Sequence, residues 1–249
     1  MKFTGSRYIS HGNQLLDSFQ ELRALRDLQI GYHGSFTRQS LRSLTKLPHL
    51  HSLYLRDGVD PGRALEGLTE SKSLTHFRIS PVLLSEQTIR SLSSLLNLEH
   101  LRVCPTERVG LDWMKYLRPL RYLRSLDFSQ SRFIEQGELT NLAGLPMLEE
   151  INLDGSHITG KGMADLQNLT GLKRVYLDGA GFGGEVLKHL QPLNQLTTLS
   201  LRHFQMNDAG AKHLIAHPSL RLIYLSESEV SEKVIKKLKA ARPDLIVCS

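Results

Sequence analysis

Residues 148–172 read LEEINLDGSHITGKGMADLQNLTGL, and the spacing inside this stretch returns along almost the whole chain. Leu148, Ile151 and Leu153 put apolar side chains on one face of a short strand, Ser156 and Ile158 turn the corner, and Met163, Leu166 and Leu169 recur at helical spacing. One such unit cannot bury its own apolar face. Its neighbours must therefore stack against it, which makes the chain a repeat structure with no single central core.

The first leucine of the unit can be followed at Leu25, Leu50, Leu74, Leu98, Leu123, Leu148, Leu172, Leu196, Leu220 and Leu245, at steps of 24 or 25 residues. This divides the chain into residues 1–24, nine repeats over 25–244, and a closing strand over 245–249, with no room for a linker or second domain. Leu15, Leu16, Phe19 and Leu22 suit one amphipathic helix in the first segment. A cap is required there because the end of a stack otherwise exposes apolar surface and an open strand edge.

Each unit opens as L-x-x-L-x-L, for example Leu50, Leu53, Leu55 and Leu98, Leu101, Val103, and its second half carries apolar residues three apart, as in Leu187, Leu190 and Leu193. Strand, helix and next strand in the same direction give an α/β, right-handed solenoid. Because strands pack closer than helices, the expected shape is an arc with a concave parallel sheet and helices on the convex side. Thr159 and Ser231 stand where a helix should begin, as does Asp208 with Gly210. Thr106, Ser131, Ser156 and Ser228 at the strand exits can bond the backbone of the neighbouring rung. Pro61, Pro81 and Pro105 are expected to interrupt exit loops.

The chain has 249 residues, 40% hydrophobic and 22% charged, which fits an ordinary folded protein. Its 31 Lys and Arg against 25 Asp and Glu leave a net charge of +6, which permits a polyanionic partner without requiring one. Cys104 and Cys248 fall on distant rungs and do not suit a disulfide. With no signal-peptide pattern and no long apolar run, the expected location is the cytoplasm, away from membranes.

DGSHITGKGMADLQNLTGL at 154–172 and NDAGAKHLIAHPSL at 207–220 resemble the bacterial leucine-rich repeat family with D-G-T-x-I-T-D-A-G-L units, abundant in planctomycetes. The resemblance covers roughly residues 25–249 and implies an interaction module. The units are also similar to the leucine-rich repeats of F-box substrate receptors, which implies a substrate-receptor subunit of a ubiquitin-ligase-like assembly. Two features of that family are missing: Cys at the strand exit, and an F-box helix pattern before the first repeat.

Outward strand positions form columns on the expected concave face, with rungs about 4.8 Å apart. The middle column reads Gln29, Tyr54, Arg78, Arg102, Asp127, Asn152, Tyr176, Ser200, Tyr224. Arg56, Arg78 and Arg102 gather early with His76 and His100, whereas Asp127, Glu150, Asp154 and Asp178 gather later, with Arg202 beyond them. Like charges on adjacent rungs repel, and a partner with matching acidic and basic patches would relieve both groups. The residues expected to bind are therefore Tyr54, Arg56, Arg78, Arg102, Asp127, Asn152, Asp154, Tyr176, Asp178 and Arg202. The tyrosines are the anchors, and the others orient the partner.

His76, His100 and Cys104 have the donor types for zinc, but Arg78 and Arg102 would repel a cation and no carboxylate completes the set, so no metal is expected. No nucleophile, base and orienting acid converge, and GFGG at 181–184 does not follow a strand as a phosphate loop does. A non-catalytic protein-binding module without cofactor is the reading that results. The competitor is a nucleic-acid or polyanion binder using the Arg and His patch and the basic last helix, Lys233, Lys236, Lys237, Lys239 and Arg242.

Overall fold

The computed structural model describes residues 22–31, 37–56, 61–82, 85–105, 113–131, 139–156, 158–180 and 183–249. The chain forms two compact units, Met1–Arg124 and Ser125–Ser249. Most of the expected N-terminal cap helix, Leu15 to Phe19, and Thr106 lie outside the described residues.

The first unit contains β1 (Asp27–Gly31), β2 (Ser52–Arg56), β3 (His76–Val82) and β4 (His100–Pro105). They pair in parallel in chain order. Period-two alternation sends Leu53 and Leu55, Phe77 and Ile79, and Leu101 and Val103 into the core, leaving the residues between them half-exposed. The strands return through α1 (Arg38–Ser43), a 3₁₀ segment Gly62–Leu68, α2 (Glu86–Leu92) and a 3₁₀ segment Trp113–Leu117. Pro81 and Pro105 do not sit in exit loops as expected. Both extend the strands, and the pairing of β3 with β4 shifts register between Ile79 and Val82 to bring Val82 opposite Pro105. A proline lacks the donor for a regular ladder, and a shift beside it is the usual accommodation.

The second unit contains β5 (Ser125–Asp127), β6 (Glu150–Asn152), β7 (Arg174–Tyr176), β8 (Thr198–Ser200), β9 (Leu222–Tyr224) and β10 (Ile246–Cys248), again parallel and in chain order. Their return segments are a 3₁₀ stretch Leu139–Gly144, α3 (Gly160–Asp165), a 3₁₀ stretch Gly184–Leu190, α4 (Asp208–Ala216) and α5 (Glu232–Ala241). Leu148, Ile151, Leu153, Met163 and Leu166 are all buried, which confirms the inward face read from the founding stretch. Each such side chain contributes about 1.5–3 kcal/mol by leaving water.

The helical half of the repeat is more varied than its leucine spacing predicts. Among the described residues the five α-helices begin at a residue whose side chain caps a backbone N–H: Thr37, Ser85, Thr159, Asn207 and Ser231. The 3₁₀ segments Gly62–Leu68 and Gly184–Leu190 begin at Pro61 and Gly183, which have no side chain to cap with. A 3₁₀ segment rises about 2.0 Å per residue against about 1.5 Å for an α-helix, so these seven-residue segments reach further along the rung than the six-residue helices Arg38–Ser43 and Gly160–Asp165. Thr159 and Ser231 cap as expected, through Gly162 at 3.0 Å and Val234 at 3.3 Å. In the eighth repeat the cap is Asn207, bonded to Gly210 at 3.0 Å, one residue before Asp208.

Two of the strand-exit hydroxyls bond as predicted. Ser156 Oγ donates to the Phe128 carbonyl at 3.0 Å and Ser228 Oγ to the Leu201 carbonyl at 2.6 Å, each reaching the rung before it. Ser131 is buried, but its hydroxyl has no partner among the described residues. The GFGG stretch has a packing role in its last residue: a Cβ on Gly184 would lie 2.7 Å from the Gly210 Cα and 2.7 Å from Asn207 Oδ1. Gly184 therefore lets successive helical segments approach closely.

Candidate functional site

The outward columns expected from sequence are in register. In the first unit Gln29 pairs with Tyr54, Tyr54 with Arg78, and Arg78 with Arg102, while His76 pairs with His100. On β2, β3 and β4 the alternation turns Ser52, Tyr54, Arg56, His76, Arg78, Ser80, His100 and Arg102 away from the apolar core, with no carboxylate among them, whereas Cys104 is buried. Tyr54 organises part of this face: the Arg78 guanidinium carbon lies 4.2 Å from its ring centroid and that of Arg56 lies 6.0 Å away. These are cation–π contacts, strongest for Arg78.

The imidazoles of His76 and His100 stack with centroids 4.1 Å apart and planes 17° apart. Thr75 Oγ1 and His76 Nδ1 share a hydrogen bond at 2.9 Å. Arg102 Nε donates to Cys104 Sγ at 3.5 Å, which aligns that guanidinium along its own strand. Arg78 Nε is buried and has no acceptor among the described residues. Its guanidinium is held by an aromatic ring while one donor goes unused. Among the described residues no group of three or more His, Cys, Asp or Glu side chains is arranged to hold a metal ion.

In the second unit Asp127, Asn152, Tyr176, Ser200 and Tyr224 share the outward middle column. Asp154, Asp178 and Arg202 lie just beyond the strands, in the exit turns. Here the acidic side chains are engaged by their own chain. Asp127 accepts from the Ser129 N–H at 2.9 Å and Asn152 from the Asp154 N–H at 2.8 Å. Asp154 Oδ1 accepts from the Asp178 N–H at 2.8 Å, and Asp178 Oδ1 from the Arg202 N–H at 2.8 Å and from Ser200 Oγ at 2.5 Å. Glu150 accepts from Arg174 Nε at 2.5 Å and from Ser125 Oγ at 2.9 Å.

The electrostatic consequence is concentrated at Asp154. Burial raises its pKa to about 6, the nearby charges of Asp178 and Asp127 add to the rise, and the hydrogen bonds from Asp178 and beside Asn152 oppose it. Burial also raises the Tyr176 phenol, with the charge of Glu150 acting in the same direction. Arg202 spans two features, with its guanidinium carbon 5.1 Å from the Tyr224 ring centroid and its Nε 3.9 Å from Asp178.

One regularity of these turns escaped the sequence reading. Gln130, Gly155, Gly179, His203 and Glu227 recur at steps of 24 or 25 residues, and each has a positive φ between 53° and 68°. At three of these positions the N–H reaches the next rung: Gln130 N–H to the Asp154 carbonyl at 2.7 Å, Gly155 N–H to the Asp178 carbonyl at 2.6 Å, and Gly179 N–H to the Arg202 carbonyl at 2.8 Å. Asp-Gly at 154–155 and 178–179 was the available signal. Gln, His and Glu at the other rungs hide the period.

The basic last helix is largely paired with acids or used for structure. Lys236 meets Glu232 at 3.4 Å and Lys237 meets Asp208 at 3.6 Å. Arg242 donates to the carbonyls of Ile215, His217 and Leu220 at 3.3, 2.7 and 2.9 Å, and to both carboxylate oxygens of Asp244 at 2.8 Å. Among the described residues no helix is long and apolar enough to cross a membrane.

No known family model matches the chain, and no curated protein matches it. Solved structures do. An internalin from Listeria monocytogenes superposes with a TM-score of 0.56 at 18% identity, covering 94% of this chain and 69% of the internalin. Toll from Drosophila, solved as the Toll–Spatzle complex, gives 0.63 at 17% identity over 90% of this chain. TLR13, solved with ssRNA13, gives 0.64 at 16% identity over 89%. The chain spans about a third of the Toll and TLR13 chains, at 31% and 32%. With its parallel strands in chain order, one per repeat, the chain has the leucine-rich repeat fold that these proteins share.

Proposed function

We propose that this chain is a non-catalytic protein-binding module whose partner sits on the outward face of the strands, the face expected to be concave. The observation that carries this reading is the first-unit cluster of Tyr54, Arg78 and Arg102, with His76 and His100. Five large polar or aromatic side chains converge there, and the core requires none of them. Aromatic and arginine side chains on a rigid sheet are the types that carry most of the energy at protein interfaces. Among the similar structures, Toll was solved with a protein, Spatzle, which supports the reading by analogy of fold. In the second unit Tyr176, Tyr224 and Arg202 extend the same kind of surface, while Asp127, Asn152, Asp154 and Asp178 contribute mainly by holding the exit turns in shape. The proposed location is the cytoplasm, and the proposed organisation is nine repeats between residues 25 and 244.

A second reading is favoured by the absence of carboxylates from the outward face of β2–β4: a nucleic acid could track that cationic surface. The paired lysines of α5 argue against an extended basic footprint. Affinity enrichment from a lysate of the source organism separates the two. Wild type and the Arg78→Glu, Arg102→Glu double variant are compared with nuclease present. A protein retained by the wild type and lost with the variant supports the proposal; a sample emptied by nuclease alone, or equal retention by both proteins, contradicts it.

A further inference from the structure

We propose that the first unit carries a second docking surface, along the turns that lead into its strands, which takes an acidic segment of a protein partner with one large apolar residue between its carboxylates. This surface is separate from the outward strand face proposed above. Leu98 N–H donates to the Leu95 carbonyl and Leu123 N–H to the Leu120 carbonyl, each at 3.1 Å, so 95–98 and 120–123 are the same tight turn on consecutive rungs. One rung earlier, Leu74 N–H closes 71–74 on the Ser71 hydroxyl at 3.3 Å. Glu99 N–H donates to the Thr75 carbonyl and Arg124 N–H to the Glu99 carbonyl, each at 2.8 Å, which fixes these turns side by side. Their second positions are Lys72, Leu96 and Arg121 in one row, with Tyr122 following Arg121.

The leucine period has no use for Leu96 or Tyr122. It buries Leu95, Leu98, Leu120 and Leu123, and leaves Leu96 55% and Tyr122 57% exposed. A lone exposed apolar side chain is ordinary. Here two of the three large apolar residues that stand exposed among the described residues occupy neighbouring turns.

The charge around them identifies the occupant. Lys72 and Arg121 are exposed on either side of Leu96, and neither forms an ion pair among the described residues. The neighbouring acids are committed elsewhere, Glu70 to Arg42 at 2.8 Å and Glu99 to Arg124 at 3.8 Å. Two rungs separate the cations by about 10 Å, while one face of an extended chain repeats at about 7 Å, a difference that the long Lys and Arg stems span. An apolar side chain seated on Leu96 and Tyr122 with a carboxylate on each side therefore meets both cations. Tyrosine is a type that anchors interfaces, and the flanking charges orient the partner. A second copy offers no such segment among the described residues: beside the third exposed apolar residue, Ile246, Asp244 is held by Arg242 at 2.8 Å and Arg221 at 3.4 Å.

The test selects a random twelve-residue peptide library, displayed on phage, against the immobilised full chain after depletion on the Leu96→Ser, Tyr122→Ser variant. The expected consensus is one large apolar residue with Asp or Glu on both sides. Its synthetic peptide should bind the wild type at least about tenfold more tightly than Leu96→Ser, Tyr122→Ser and about fivefold more tightly than Lys72→Gln, Arg121→Gln. Circular dichroism should be unchanged in both variants, because all four side chains are exposed. The Arg78→Glu, Arg102→Glu variant should bind the peptide as the wild type does. A selection without consensus, or a consensus without acids, overturns the assignment. Loss of binding in Arg78→Glu, Arg102→Glu alone places the peptide on the outward strand face and overturns this surface while leaving the earlier proposal standing. Sedimentation of the chain alone supplies the last outcome: a dimer abolished by Leu96→Ser, Tyr122→Ser makes a second copy the occupant and overturns the acidic partner.

Discussion

Asp154 accepts the backbone N–H of Asp178 at 2.8 Å, so an acidic side chain on one rung fixes the backbone of the next. Asp178 does the same for Arg202 at 2.8 Å. Residues that read in sequence as a partner-facing acidic patch therefore act first as ties within the stack. The cationic face of β2–β4 has no corresponding use for Arg78, whose Nε meets no acceptor among the described residues.

Asp154 makes stability depend on pH. Its folded pKa of about 6 lies above the ordinary 3.8, so between those values the folded chain holds a proton that the unfolded chain releases. This contribution to stability is present at low pH and is lost as pH rises through that window. Asp154→Asn keeps an acceptor for Asp178 and removes the charge. The variant should be more stable than wild type at pH 7 by about 1 kcal/mol, after allowance for solvent reaching the group. The difference should vanish near pH 4, as thermal melts across the range will show; a difference independent of pH would contradict this account.

Asp178 has three attachments: the Arg202 N–H, the Ser200 hydroxyl, and the Arg202 guanidinium at 3.9 Å. Ser200 is only 2% exposed, so water cannot readily replace its partner. Asp178→Ala should cost about 1–3 kcal/mol, and Asp178→Asn less than half of that. Chemical denaturation of both variants checks the order. Equal losses would show that the acceptor is not what matters.

Arg242 closes the C-terminal end of the second unit by binding three carbonyls and Asp244. Lysine cannot reproduce a planar fork with five donors. Arg242→Lys should therefore destabilise nearly as much as Arg242→Ala, by about 2–4 kcal/mol. Amide exchange in β9 and α4 should accelerate in both. Rescue by lysine would reduce the role of Arg242 to charge alone.

Gly184 and Gly210 meet across successive helical segments. Gly184→Ala would force backbone apart and should cost about 1–3 kcal/mol, whereas Gly183→Ala, with no atom within 4 Å of the new Cβ, should be near neutral. Comparing the two melting temperatures isolates close approach from loop entropy.

The fold was legible because the leucine period is enforced on every rung: Leu148, Ile151 and Leu153 have one geometric solution, and burial confirms it. The column register followed from the same period, since each outward residue stands between two buried ones. The choice between α and 3₁₀ segments was less legible. Apolar spacing of three residues serves both, and the capping residue decides between them, as Thr159 and Pro61 illustrate. The exit turns were hidden for a different reason. The left-handed conformation recurs at Gln130, His203 and Glu227, and side-chain identity there scarcely signals it.

The site was only half legible. Sequence placed Arg78, Arg102, Asp154 and Asp178 on or beside the outward face, but a charge count cannot tell a free carboxylate from one already accepting backbone N–H groups. That distinction depends on the direction of each turn. It separates the expected residues into those that tie the exit turns, such as Asp154 and Asp178, and those for which binding is the proposed role, such as Arg78 and Arg102.

The most direct test of the binding claim is the affinity of a partner captured by the wild type for three purified proteins whose circular-dichroism spectra agree. These are the wild type, the Arg78→Glu, Arg102→Glu variant, and Asp178→Asn. The account predicts a loss of about 100-fold or more for the charge-reversed pair and a change within about threefold for Asp178→Asn. Equal affinity of the wild type and the charge-reversed pair would contradict it and move the interface off the outward face of β2–β4.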